Sequence, residues 1–188
     1  MIGMHKTTDA AAFLFPLQVG FAVKGGAEAV ARGLSFLYHQ HKRDRNVATV
    51  SVDGKNAFNI AERQNMLDQI RQNFPSLARI AYFLYAGPAL LYFGMTHVIL
   101  SLCGTHQGCP LGGLFFALAI QPLINEIKVR FNGRGDGEAQ REKALLMVAA
   151  YYDNIYVVVK NKDTNVPILL DIIDRELGPD QLLHRLPC

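Results

Sequence analysis

Two aspartates stand where strand-like segments stop. Asp53 closes the run "NVATVSVD", and Asp153 interrupts "YYDNIYVVV" at residues 151–159. An ionised carboxylate is costly in an apolar setting unless a cation or hydrogen-bond donors accompany it. Taken singly, each has a plain alternative reading as a turn residue, because Asp53-Gly54 and Asp153-Asn154 are both favoured turn pairs. Taken together they suggest more. Neighbouring antiparallel strands can bring such ends side by side, and two carboxylates meeting there repel unless a divalent cation lies between them. Mg²⁺ suits that setting, because it takes oxygen ligands and works with one or two carboxylates plus substrate phosphates. Two such ions can activate a 3′-hydroxyl and stabilise a leaving pyrophosphate.

The elements that must position these residues follow from hydrophobic spacing. "NVATVSVD" alternates as a strand does. Before it, Ala27, Val30, Leu34 and Leu37 recur at helical spacing after a Gly-Gly turn, and "HKRDR" ends that helix. After it, "NAFNIAERQNMLDQIRQNF" reads as one helix with an Ile60, Leu67, Ile70 and Phe74 stripe. Pro75 would end it, with Ser76 capping the next helix. "LLYFGMTHVILSLCG" reads as one or two short strands, "HQGCPLGG" as a turn, and "LFFALAIQPLINEIKVRF" as a helix. "ALLMVAAYYDNIYVVVK" predicts a hairpin with Asp153-Asn154 at its tip. "NVPILLDIIDREL" predicts a last amphipathic helix. The expected fold class is α+β: a small, mostly antiparallel sheet with helices packed on one face.

Composition bounds the function. The chain has 188 residues, half of them apolar and 19% charged, with net charge +3. That is globular rather than disordered composition, and it is compatible with a nucleic-acid partner. Three cysteines, Cys103, Cys109 and Cys188, make no even disulfide framework, so a reduced intracellular setting is expected, nuclear or cytoplasmic. No Asp, Glu, Lys or Arg occurs between Arg79 and Glu126. "IAYFLYAGPALLYFGMTHVILSLCG" is long enough to cross a bilayer. Gly87-Pro88 breaks it, and the link "GTHQGCPLGG" that follows has no positive flank to set orientation, so a soluble reading without a membrane is preferred.

Three segments in order resemble the palm motifs of reverse transcriptases. "SVDGKNAFNIAER" is similar to the first, "GTHQGCPLGGLFFALAI" to the second, and "AAYYDNIYVVV" to the Tyr-x-Asp-Asp third. "LQVGFAVKGGAEAVAR" resembles the segment preceding the first motif in retroelement enzymes, and the closest flavour is a non-LTR retrotransposon. The resemblance spans residues 17–178. It implies a polymerase palm with part of the fingers and with catalytic carboxylates at the sheet edge. It leaves residues 1–16 as a loosely structured lead and 179–188 as a tail without a thumb.

The resemblance also implies roles. Asp53 and Asp153 would bind two Mg²⁺ or Mn²⁺ ions, helped by the Gly54 carbonyl. Asn56, Ala57 and Phe58 would lie under the incoming deoxynucleoside triphosphate, with Phe58 as the ring that excludes a ribose 2′-hydroxyl. Gln107 would touch the nucleotide, Gly108 would let the template approach, and Tyr151 would lie along the primer end. The partners would be an RNA or DNA template with its primer, and the rest of a larger polyprotein. Asn154 stands where the family carries its second aspartate, so the catalytic set would be Asp53, Asp153 and an uncharged Asn154. With the basic finger residues and the thumb also missing, the chain alone is expected to be weak or inactive. The alternative is a non-catalytic palm remnant that binds nucleic acid or a protein partner.

Overall fold

The computed structural model describes residues 3–94, 96–106, 108–132 and 144–177. Residues 133–143 and the tail 179–188 lie outside the described residues. The chain divides into two compact units, Met1–Lys55 with Gln121–Cys188, and Asn56–Ile120.

The first unit is built on three antiparallel strands: β1 (Val47–Asp53), β4 (Leu145–Tyr151) and β5 (Asn154–Lys160), in the order β1-β5-β4. β5 is central, which accounts for its unbroken apolar run. Val157, Val158 and Val159 are all buried, and successive strand residues point to opposite faces, so both faces are covered there. The β1 register places Val47 opposite Lys160 and Asp53 opposite Asn154.

Helix α2 (Gly26–His41) packs Val30 against Val19 and Ala149, with Leu34, Met147 and Tyr156 around them. It starts at Gly25, whose φ of 69° is the left-handed conformation a Gly-Gly pair supplies without strain. α7 (Lys162–Leu177) lies along β1 and β5 and buries Leu169, Ile172 and Ile173. The lead segment expected to be loosely structured is instead α1 (Gly3–Leu14). Ala10 and Leu14, one helical turn apart, are fully buried, so tertiary packing stabilises a helix whose short apolar stripe is easily overlooked.

The second unit holds α3 (Ala57–Ile60), α4 (Arg63–Asn73), α5 (Pro75–Tyr85), and a hairpin of β2 (Ala89–Phe93) and β3 (His97–Ser101). α6 (Gly112–Asn132) begins here with Leu114, Phe115, Phe116, Ala117 and Leu118 all buried. The single helix expected over residues 56–74 is therefore two. It breaks at Ala61, whose ψ of 133° is extended. The cause is tertiary: Gly104 N donates to Ala61 O, and Thr105 N donates to Phe58 O. A loop from elsewhere in the unit thus claims carbonyls that a continuous helix would use itself. α4 stops at Asn73, just before Pro75 as expected; Pro75 itself opens α5, and Phe74, not Ser76, occupies the cap position. The β2–β3 hairpin exposes Leu90, Leu91, Tyr92, Val98, Ile99 and Leu100. No helix among the described residues is long and apolar enough to cross a membrane.

Candidate functional site

The first unit brings the two singled-out aspartates to one end of its sheet. Asp53 is the exposed last residue of β1, and its register partner is Asn154, the first residue of β5. Asn154 also pairs with Tyr151, the last residue of β4. The β4–β5 turn therefore consists of Tyr152 and Asp153. The expected Asp153-Asn154 tip is corrected by one residue, and Asn154 belongs to the central strand between Asp53 and Tyr151.

Propensity would have put Asn or Asp in the left-handed position of this turn. That position is taken by Tyr152, with φ of 54°. The reason lies in the segment Leu17–Val19, which runs parallel to β4. Val19 N donates to Ala150 O at 2.8 Å, and Ala150 N donates to Leu17 O at 2.7 Å. Between them Gln18 is fully buried. Its Oε1 accepts from Tyr152 N at 2.8 Å and from Gly20 N at 3.0 Å, and its Nε2 donates to Tyr152 O at 3.2 Å.

The carboxyl of Asp153 is raised above its ordinary value. Partial burial is the main cause and the charge of Asp53 adds to it, against a backbone hydrogen bond that works the other way. The two carboxylates thus stand close enough to repel. Asn154 Nδ2 makes only a long contact with Asp153 Oδ1, 3.4 Å, and among the described residues no Lys or Arg forms an ion pair with either aspartate. Two neighbouring carboxylates with the Asn154 side-chain amide next to them are hard-oxygen ligands of the kind Mg²⁺ or Mn²⁺ takes. Among the described residues no three His, Cys, Asp or Glu side chains gather, which leaves this set one carboxylate short of the family pattern.

A prediction follows from the sign of the Asp153 shift. Its folded value lies above its unfolded one, so the folded chain binds more protons just above pH 3.8. The resulting stabilisation is complete below the unfolded value and is lost as pH rises through the folded one. At neutral pH without metal the carboxylate is therefore a net cost. Asp153→Asn is expected to raise the urea midpoint at pH 7 but not at pH 3.5. A gap of equal size at both pH values would contradict the raised Asp153 carboxyl.

The remaining predicted residues fall as follows. Gly54 follows Asp53 directly and is half-buried. Tyr151 is 37% exposed, its ring edge-on to Tyr152 with centroids 5.6 Å apart. The other positions lie in the second unit. Asn56, at φ of 52°, precedes α3, which carries Ala57 and Phe58. The Phe58 ring stacks on Phe116 at 4.1 Å. Gly108 has φ of 89° and open space where a Cβ would stand. Gln107 lies outside the described residues. Sequence reasoning passed over Gln18, whose signal was a lone amide inside the apolar stretch "FPLQVGF". It also passed over Arg63, a cation buried in the second unit at 7% exposure.

No family model matches the sequence, and no curated protein matches it either. Solved structures do match. An apo telomerase from Candida tropicalis overlays with a TM-score of 0.62 at 13% identity, over 94% of this chain and 34% of that one. A form of it truncated from the C-terminal domain gives 0.59 at 12% identity, over 94% and 36%. The telomerase in complex with a TWJ fragment of telomeric RNA gives 0.61 at 13% identity, over 94% and 31%. The chain spans about a third of the length of the telomerase chains it matches. At such identity the likeness shows the fold: α+β, with small antiparallel sheets in the arrangement of the telomerase polymerase.

Proposed function

We propose that the chain is the palm of an RNA-directed DNA polymerase of the retrotransposon kind, which transfers deoxynucleotides to a primer 3′-hydroxyl. The observation that carries this reading is the meeting of Asp53 and Asp153 at one end of the β1-β5-β4 sheet, in a chain with the telomerase polymerase fold. Asp53 and Asp153 would hold Mg²⁺ or Mn²⁺, with the Gly54 carbonyl and the Asn154 amide oxygen as neutral partners. Bound there, two such ions would supply Lewis acidity for attack on the α-phosphate and for departure of pyrophosphate. Tyr151, exposed next to Asn154, would support the primer end. The nucleotide roles of Asn56, Ala57, Phe58 and Gln107, the template role of Gly108 and the place of the chain within a polyprotein belong to the same proposal.

A second reading rests on Asn154. With an amide opposite Asp53, the site has two carboxylates where the family pattern has three, and a palm that binds nucleic acid without extending it fits that loss. Primer extension on RNA and DNA templates, with Mg²⁺ and with Mn²⁺, separates the two. The polymerase reading expects metal-dependent product that falls at least about 100-fold in Asp53→Asn, as when a group that stabilises transition-state charge is removed. Salt-sensitive binding without product, from this chain and from Asn154→Asp alike, would favour the remnant.

A further inference from the structure

Gln18 satisfies itself on a backbone that is not its own. The short parallel strip Leu17–Val19 pairs with Ala150 through main-chain hydrogen bonds. Where that ladder stops, the Gln18 side chain continues it, pairing with both the N–H and the C=O of Tyr152. A primary amide has the same donor and acceptor as a peptide unit, so it substitutes for a strand partner. Two residues on, Gly20 stands against the same turn. A Cβ at Gly20 would lie 2.7 Å from Tyr152 N and 2.8 Å from its ring. Tyr152 is a bulky residue at φ of 54°, a conformation that persists only when its surroundings over-determine it.

We infer that Gln18 and Gly20 are positioning residues for Asp153: together they fix the left-handed Tyr152 and so hold the following carboxylate beside Asp53. The inference rests on the proposed metal role of that carboxylate, but it makes a claim about the turn that stands without metal. Any side chain at Gly20 pushes on the Tyr152 amide. Any residue at position 18 lacking an amide leaves that N–H and C=O without their partner. Both changes free the turn to relax toward φ values that tyrosine prefers, and both carry Asp153 away from Asp53.

The test uses Gln18→Leu, Gly20→Ala and, as control, Leu169→Ala, which removes buried bulk from α7, an element outside the turn. Amide hydrogen exchange by NMR at Tyr152 and Asp153 and Mn²⁺ binding by EPR are measured where all variants stay folded. The expected result is exchange at these two amides at least tenfold faster in both turn variants and Mn²⁺ binding at least tenfold weaker. Leu169→Ala should lower the urea midpoint yet leave both readouts near wild type. Exchange and binding that follow the urea midpoint alone, with the control behaving like the turn variants, would overturn the inference. If the wild-type chain binds no Mn²⁺, the metal reading fails and the exchange rates still decide the inference. A tenfold change expected in Gln18→Leu and Gly20→Ala but absent in both would also overturn it.

Discussion

Asn154→Asp is expected to act in opposite directions with and without metal. Asn154 lies opposite Asp53 in the strand register and next to Asp153 in sequence. A third carboxylate there meets two others. Without metal, repulsion between half-solvated charges at such spacing is expected to lower stability by about 1 kcal/mol. With a divalent cation present the sign reverses. Each added carboxylate–divalent cation contact is worth roughly 8 kcal/mol at 4 Å in a medium of intermediate dielectric, before hydration is discounted. A gain of about 1.4–2.8 kcal/mol after that discount corresponds to ten- to a hundredfold tighter Mn²⁺ binding. An ion that binds only the folded chain adds about 2.7 kcal/mol at about 100 times its dissociation constant. Urea titrations of wild type and Asn154→Asp, each with EDTA and with Mn²⁺, should therefore cross over. Parallel curves would mean that position 154 does not face an ion held by Asp53 and Asp153.

The two aspartates were legible in the sequence because charge inside a strand pattern is a physical anomaly that needs a partner. The strands around them were legible from alternation and β-branched runs, and the Val30, Leu169, Ile172 and Ile173 stripes from helical spacing. What was not legible is what tertiary contacts override. The turn at Asp153 slipped by one residue because Gln18, far off in sequence, holds Tyr152 in a conformation that local propensity assigns to Asn or Asp. The helix over residues 56–74 broke because a distant loop takes the carbonyls of Phe58 and Ala61. α1 emerged because Ala10 and Leu14 found a place to pack, and their short i,i+4 stripe is too brief to announce a helix without that packing. The anomaly that exposed Asp153 applied equally to Gln18, a lone amide among apolar residues; Arg63, flanked by Glu62, Gln64 and Asn65, carried no such signal, yet both proved to be buried anchors of backbone.

Arg63→Met is expected to have the largest effect on stability. The guanidinium is buried, with no carboxylate in ion-pair reach among the described residues, and neutral acceptors surround it. Nε donates to Gly104 O at 2.9 Å, one Nη to Gly87 O and Ser101 O, and the other to Ser101 Oγ and His106 Nε2. Five donors meet five acceptors, and the ring of Tyr85 lies 5.5 Å away. The same cation thus ties α4 to the start of the β2–β3 hairpin, to its end and to the loop after it. Methionine fills similar volume but leaves those acceptors bare. Each costs roughly 1–3 kcal/mol where water cannot reach. Gly104 is buried while Gly87 is exposed, so only part of that sum applies, and a loss of about 3 kcal/mol is expected. Lysine keeps the charge but not the planar fork, and should recover only part.

The pH dependence identifies the network. His106 is held below its ordinary value, first by burial and then by the Arg63 charge. It is therefore neutral at pH 7, and its Nε2 accepts from Arg63. Below about pH 6.5 the unfolded chain takes a proton that the folded chain refuses, so wild-type stability falls with acidification toward the folded value. Arg63→Met removes one of the two causes, so the variant loses less over the same range. The gap in urea midpoint between wild type and Arg63→Met should be widest near neutral pH and narrow below about pH 6.5. A gap independent of pH would separate His106 from the guanidinium, and a gap near zero would mean that water replaces the five bonds without loss.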